Sequence, residues 1–588
     1  MQNAPIWNLD SIFPGDISGS AFKEALESLE VDVDATLERL EASPPVATDV
    51  PGLLAGFSEV YELGRRARPI RVCADGVANA QTDDPVARML KSRLGRLQAR
   101  LSLAYLVLED HVASMSEDDY GALSSHADAE ILRPRLENLR ATAAARLSRV
   151  EGELLTELSQ DGIHAWGRHY QRISGRLKVP LSDGSLISVG RAKNLLGSRC
   201  RDQRRDALDG LNQAWSTVEE DCATVLSHIV GTRVTLNRRR GRTSIDDSLD
   251  RNRMGRESLE AMLEAARRAA PLLERYLALK ARWLGVEAPG FEDMLAPLGK
   301  TEVVTWETAR AFVETHFAAY HDDLAGLARR AFEERWVEAE DRENKRDGAY
   351  CAGLGSGASR VFMTFGGTWR STTTLAHELG HAYHNWVLRD AHMARIQVPS
   401  TLAETASILS ESLVRDAALA SAESDIERVA MLDARLTAGV TYLMNLPFRY
   451  QLEVDLHEMR AKGELDPQAI NEACVERQKE HYRGRLSSWF PRFWADKAHF
   501  FISHFAFYNY PYTFGYLFSG LVYARVKDEG PSFHRHVVDL LQRSGYEYAE
   551  PLALDTLGVD LRDPDTWCAG WAPLKEDLAA LEALTDQA

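Results

Sequence analysis

Cysteine is scarce in this chain. Among 588 residues there are six cysteines, at 73, 200, 222, 351, 474 and 568, and no two form a Cys-x-x-Cys pair. So few, so widely spread, exclude a disulfide framework and read as small buried residues of a reducing compartment. Long apolar runs are lacking too. No stretch reaches the roughly 18 uninterrupted apolar residues that span a membrane, and residues 1–10 carry neither a basic nor an apolar leader region. A cytoplasmic location is the expectation. Positive charge is in deficit: 69 Lys+Arg stand against 87 Asp+Glu, a formal charge of −18. That balance argues against general affinity for nucleic acid or an anionic membrane surface. Fixed-length repeats and low-complexity linkers are also missing. With 45% hydrophobic and 27% charged residues, the composition is that of a folded globular protein.

Helical periodicity dominates. Phe22, Leu26, Leu29, Val33, Leu37 and Leu40 recur at three- and four-residue steps until Pro44-Pro45 stops them, and Leu90, Leu94, Leu97, Leu101, Tyr105 and Leu108 repeat the pattern. Such spacing lines one face of a helix and marks core-facing stripes. Ser148 and Glu151 have capping-box spacing. Strand signals are few: a hairpin over 177–189 around Asp183-Gly184, and a β-rich run over 359–365 that ends at Gly366-Gly367. The chain is therefore expected to be mostly α with a small β component. The boundary is expected in the hairpin region, giving an N-terminal helical domain over 1–190 and a larger domain over 191–588. The basic run at 237–242 reads as a solvated loop. Gly353, Gly355 and Gly357 fit neither a dinucleotide fingerprint nor a P-loop, and read as a flexible loop before a strand.

The chemistry concentrates in His377-Glu378-Leu379-Gly380-His381, inside a run of helical period. Residues four apart share one helix face, so both imidazoles can hold one ion. Zn²⁺ suits two neutral nitrogens, a carboxylate and an open position for water. Glu378 is rotated off that face and flanks the ion, where it can serve as general base toward a zinc-bound water. A third ligand is required. Glu404, early in the next helix, is a candidate, although Thr401-x-x-Glu404 equally has the spacing of a capping box. Glu411, two turns on, reads either as a hydrogen-bond partner orienting a histidine ligand or as a surface carboxylate. His384 reads as a neighbour and not a ligand.

Residues 499–518 are unusual: twelve of the twenty are His or aromatic. Buried phenols each need a hydrogen-bond partner, so a plain core does not call for so many. Near a zinc, Tyr and His can donate to the oxyanion formed when water adds to a carbonyl.

Taken together, Leu375-Ala-His-Glu-Leu-Gly-His-Ala-Tyr-His384, Ala403-Glu404-Thr-Ala-Ser407 with Glu411, and Phe507-Tyr-Asn-Tyr-Pro-Tyr-Thr-Phe-Gly-Tyr-Leu-Phe-Ser519 resemble the M3 family of metallopeptidases, nearest its oligoendopeptidase F branch. The segment 345–351 and the strand ending in Phe365-Gly-Gly-Thr368 also resemble family segments. The resemblance implies a mostly helical, two-lobed zincin-type metallopeptidase with a deep channel that admits short unstructured peptides. It implies one zinc held by His377, His381 and Glu404, with Glu378 as general base. It implies transition-state donors in the C-terminal segment: Tyr516, with His499 or His504, and with Tyr508 and Tyr512 on the substrate.

The reading is a zinc endopeptidase of oligopeptides, with no nucleic-acid or membrane partner. A helical zinc carboxypeptidase is the near alternative, distinguished by whether a peptide with a blocked C-terminus is cut. A zinc-containing peptide-binding protein without turnover is the alternative from another class, and the intact Glu378 speaks against it.

Overall fold

The computed structural model describes residues 4–585 apart from 45, 47, 301, 302 and 347. Pro45 and Asp347, which entered the sequence reading, lie outside the described residues. The described chain is predominantly helical, with five short strands. It divides into two compact units, each assembled from three stretches: Met1–Ala144, Glu302–Ala418 and Arg525–Gly558 make the first, and Ala145–Thr301, Leu419–Ala524 and Val559–Ala588 the second. The position 190/191, where a boundary was expected, falls inside the second unit.

The first unit opens on three long helices, Ser20–Ala42, Val50–Ala80 and Pro85–Ser114. The third starts where Asp84 accepts hydrogen bonds from the backbone N–H of Val86 and Ala87, with Pro85 in the first turn. Both periodic stripes point inward: Phe22, Leu26, Leu29, Val33 and Leu40 are buried against Leu90, Leu97, Leu101 and Leu108, with Leu37, Leu94 and Tyr105 partly buried at the margin. Each such side chain contributes about 1.5–3 kcal/mol on burial, enough for the stripe to outweigh the cost of ordering the helices.

This unit also contains a three-stranded sheet of order β3-β5-β4, built from β3 (Val337–Glu338), β4 (Tyr350–Gly353) and β5 (Ser359–Phe362), after the hairpin of β1 (Lys178–Pro180) and β2 (Leu186–Ser188) in the second unit. β5 pairs in parallel with β3 and antiparallel with β4. β5 is the central strand and has no free edge; the outer strands are β3 and β4. The Gly353–Gly357 segment is the β4–β5 turn, where Gly355 and Gly357 take positive φ of 82°.

The motif helix, Trp369–Val387, begins at Thr368, whose side chain accepts from the N–H of Ser371. It packs on the sheet through Asn385, which donates to Ser359 Oγ at 3.2 Å. Gly353 is part of that contact, since a Cβ there would come within 2.6 Å of Asn385 Oδ1.

In the second unit, the capping box at Ser148 and Glu151 forms, and β1 and β2 pair around a turn with Gly184 at φ 83°. The helix Asp425–Val440 runs through a π-helical turn, Thr441–Asn445, into Leu446–Lys462. Pro447 has no N–H for the helical ladder, which accounts for the local change of pitch. The basic run at 237–242 is ion-paired: Arg240 and Arg242 meet Asp247, and Arg242 also meets Asp250. No helix among the described residues is long and apolar enough to cross a membrane, and all six cysteines are free thiols.

Candidate metal centre and catalytic site

His377 and His381 stand one turn apart on the motif helix, ring centroids 4.9 Å from each other. A second chain segment brings the carboxylate. After the short helix Ser400–Ala403 the backbone breaks at Glu404 and resumes as Thr405–Ala420. The capping-box alternative for Glu404 does not hold, because Pro399 occupies the N-cap and Thr401 lies inside the first turn. Glu404 Oε2 instead sits 3.2 Å from His377 Nε2 and 3.4 Å from His381 Nε2.

Gly380 sets this approach. A Cβ there would lie 2.5 Å from Ala406 O, 2.6 Å from Ser407 Cα and 2.8 Å from Ser410 Oγ. Only a residue without a side chain lets the two helices meet so closely.

The donor set suits one zinc ion. Four ligands at about 2.0–2.1 Å in a tetrahedron stand about 3.3 Å apart, which the separations of 3.2 and 3.4 Å match. The three donor atoms converge within 4.8 Å of one another. Burial alone would lower the pKa of His377, yet its bonds to Glu404 and Glu411 hold it up at about 10. A ring that keeps a proton between two carboxylates occupies a cation position, and a divalent ion answers the same field. Burial likewise opposes the charge on Glu404, but the two imidazoles overcome it and hold the carboxyl well below its ordinary range.

Glu411 is the orienting partner. Its Oε2 lies 3.2 Å from His377 Nδ1, so that nitrogen can donate while Nε2 faces Glu404. Its other oxygen meets Arg415 at 2.6 Å. Ser407, named in the sequence only as the end of a family-like motif, donates to Glu404 Oε2 at 2.8 Å, and Arg415 was not singled out from the sequence. Their signal was helical spacing alone: Ser407 follows Glu404 by three residues and Arg415 follows Glu411 by four. His384 belongs elsewhere, with Nε2 2.9 Å from Ser544 Oγ in a buried setting.

Glu378 is 4% exposed, and its Oε2 has no hydrogen-bond partner. Burial pushes its pKa up, against the pull of His381 and His377. Its charge also acts on Cys351 of β4. A carboxylate kept dry and unpartnered beside a metal-type donor set is poised to take a proton.

The C-terminal aromatic segment lies in the second unit, where its members separate into three settings. His499 Nδ1 is 2.8 Å from Asn509 Oδ1, and its ring meets those of Tyr508 at 4.9 Å and Tyr512 at 6.2 Å. Tyr512 donates to Tyr508 across 2.7 Å. His504 is apart from them, exposed and stacked on His164 at 4.2 Å. Tyr516 stacks on Tyr442 of the π-helical turn, 4.6 Å between centroids. A further cluster in the first unit, His321, Asp323 and His534, also groups metal-type donors, but both nitrogens of His534 are engaged by the hydroxyls of Tyr320 and Tyr383.

Residues 194–571 match the model of peptidase family M3, and residues 112–178 match that of oligopeptidase F. The chain belongs to peptidase family M3. It is thus a metalloendopeptidase with the helical M3 fold. Oligopeptidase PepF of Bacillus subtilis (strain 168) is 24% identical to this M3 chain, over 98% of it and 87% of the relative. Group B oligopeptidase PepB of Streptococcus agalactiae is 22% identical over 98% and 96%. Oligoendopeptidase-F from Enterococcus faecium shares the fold with a TM-score of 0.74 at 17% identity, covering 96% and 100% of the two chains.

Proposed function

We propose that this protein is a zinc-dependent endopeptidase that hydrolyses internal bonds of short unstructured peptides in the cytoplasm. One observation carries the reading: two imidazole nitrogens and a carboxylate oxygen converge at ligand separations, with an unpartnered buried carboxylate beside them. The relatives named as oligopeptidases support the substrate class. The free cysteines support the compartment.

His377, His381 and Glu404 hold one zinc ion per chain. When bound, zinc supplies a Lewis acid that polarises the scissile carbonyl and acidifies the attacking water. Glu378 accepts the proton of that water as the new C–O bond forms. Its raised affinity for a proton lets it keep that proton until the C–N bond breaks, when it passes to the leaving amine nitrogen. Glu411 keeps His377 in the tautomer that leaves Nε2 free to bind. β4 is an outer strand of its sheet, and its outer edge is the place where a peptide strand would add. Its Cys351 lies within the field of Glu378.

Tyr516 and a histidine of the C-terminal segment are assigned to oxyanion stabilisation by the resemblance. What favours His499 over His504 is the way Asn509, Tyr508 and Tyr512 hold its ring. Tyr508 and Tyr512 remain assigned to the substrate.

The test is a peptide of about ten residues blocked at both ends, incubated with the zinc-loaded protein and mapped by mass spectrometry beside E378Q. Internal cuts by the wild type alone are expected. No cut, with cleavage restored by a free C-terminus, would make the protein a carboxypeptidase. Binding of peptides of both kinds without turnover would make it a binding protein.

A further inference from the structure

Two cations of the second unit meet beside one carboxylate that is bonded elsewhere. Arg449 is 8% exposed, on the helix Leu446–Lys462. One of its terminal nitrogens donates to Asn445 Oδ1, while its Nε finds no partner. Its Cζ lies 5.1 Å from the centroid of the Phe493 ring, and Lys497 Nζ lies 5.4 Å from the same centroid. Guanidinium and ammonium thus share one aromatic ring.

The neighbouring carboxylate is Asp496, and it is already committed. Its Oδ2 is 2.9 Å from Lys193 Nζ, and its Oδ1 accepts from Trp215 Nε1 at 3.0 Å. One carboxylate therefore faces three cations. Among the described residues, the Lys497 ammonium makes no hydrogen bond and no ion pair, and Asp496 acts on it only through its charge. Burial, with Arg449 adding to it, pushes Lys497 down to about 7, and burial pushes Arg449 down to about 10. A fold gains nothing by leaving a buried and a half-buried cation to share one already committed carboxylate, because an under-paired buried charge is among the costliest arrangements in a protein. Such an arrangement is the form a receptor takes before its anion arrives.

We propose that Arg449 and Lys497 form a receptor for a carboxylate of the bound peptide, either its C-terminal carboxylate or the side chain of an aspartate or glutamate. This rests on the peptide-hydrolase reading above and narrows its substrate class. Peptides carry no other common anion, and the guanidinium fork and the ammonium both match a planar carboxylate. The place fits as well. Lys497 precedes His499 by two residues, and the Tyr512 hydroxyl lies close enough to act on the charge of Arg449. The chain as a whole carries −18 and repels acidic peptides, so recognition of a carboxylate needs a local device of this kind.

Binding is read without turnover in the zinc-loaded E378Q protein, by fluorescence anisotropy of N-terminally labelled peptides of equal length. The set holds a neutral peptide with a free C-terminal acid, its C-terminal amide, and the amide with one internal Gln→Glu change. The amide is expected to bind at least tenfold more weakly than one of the other two, and whichever recovers the affinity names the source of the carboxylate. In E378Q carrying K497Q, the ratio of acid to amide affinity is expected to fall to near one, and R449K is expected to reduce it. Equal Kd for all three peptides, or K497Q weakening acid and amide by the same factor, overturns the proposal. The parallel assay follows cleavage of the same peptides by the otherwise unaltered enzyme. Cleavage of all three with no carboxylate preference in KM removes the receptor and leaves the peptidase reading standing. Carboxylate-selective binding with no cleavage does the reverse.

Discussion

Replacing Gly380 by alanine puts a methyl group into the contact that brings Glu404 to the two histidines. The new Cβ would stand 2.5 Å from Ala406 O and 2.6 Å from Ser407 Cα. Ordinary contact begins at 3.4 Å, so the helix Thr405–Ala420 has to retreat by about 0.9 Å. Both obstructing atoms are backbone, and no rotamer change removes them. Alanine does favour a helix interior over glycine by about 0.5–1 kcal/mol. Overpacking of this kind costs about 1–3 kcal/mol, so the net effect is a loss of stability of about 0–2.5 kcal/mol.

The larger effect is expected at the proposed zinc site. Metal–ligand distances tolerate about 0.2 Å, and Glu404 directly precedes the helix that must move. Zinc affinity is therefore expected to drop by about 10–100-fold, the range seen when the support of a ligand is disturbed. Competition with a chromogenic chelator reads the affinity, and urea unfolding of the metal-free protein reads the stability. A G380A protein that holds zinc as tightly as the wild type and unfolds at the same urea concentration would refute this account of how the ligands converge.

Three further outcomes are expected. With Glu378 in its proposed role as general base and not ligand, E378Q should lower kcat by about 10²–10⁴-fold while retaining zinc; comparable loss of metal in that variant contradicts that role. E411A should weaken zinc binding by about 10–100-fold, read by the same chelator competition, because His377 Nδ1 loses the partner 3.2 Å away; unchanged affinity would make Glu411 incidental. Glu453 of the second unit is 2% exposed, accepts from Phe507 N–H at 2.7 Å, and is pushed by burial up to about 7. A carboxyl raised on folding contributes most stability below its unfolded pKa, about 4.5, and loses it as pH rises to 7, here by about 3 kcal/mol. E453Q keeps the acceptor and removes the titration, so urea unfolding at pH 5 and pH 7.5 should show a flatter dependence in the variant; equal slopes would show that Glu453 does not titrate there.

The parts legible in the sequence are those whose meaning is local. His377, Glu378 and His381 announce themselves because a helix converts a four-residue spacing into a shared face. The stripes of Phe22 to Leu40 and Leu90 to Leu108 are read by the same rule, and both are buried in the first unit's core. Glu404 is ambiguous in the sequence, since the same residues spell a ligand or a cap, and the start of the helix at Pro399 removes the cap. That β5 is a central strand is not legible, because a strand's own residues do not say how many partners it has; β3 and β4 flank it from either side. His499 and His504 look alike in a row of aromatics, and they part only when Asn509 reaches back to one of them. Arg449 and Lys497 left no signal at all. An isolated basic residue is, by composition, a solvated one, and what makes these two unusual is the commitment of Asp496 to Lys193 and Trp215. Charge that is missing from a site can be found only after every neighbouring charge has been paired, and that pairing is a property of the folded chain. Chemistry carried by one element is therefore open to sequence reading, while chemistry set by the balance among several elements is not.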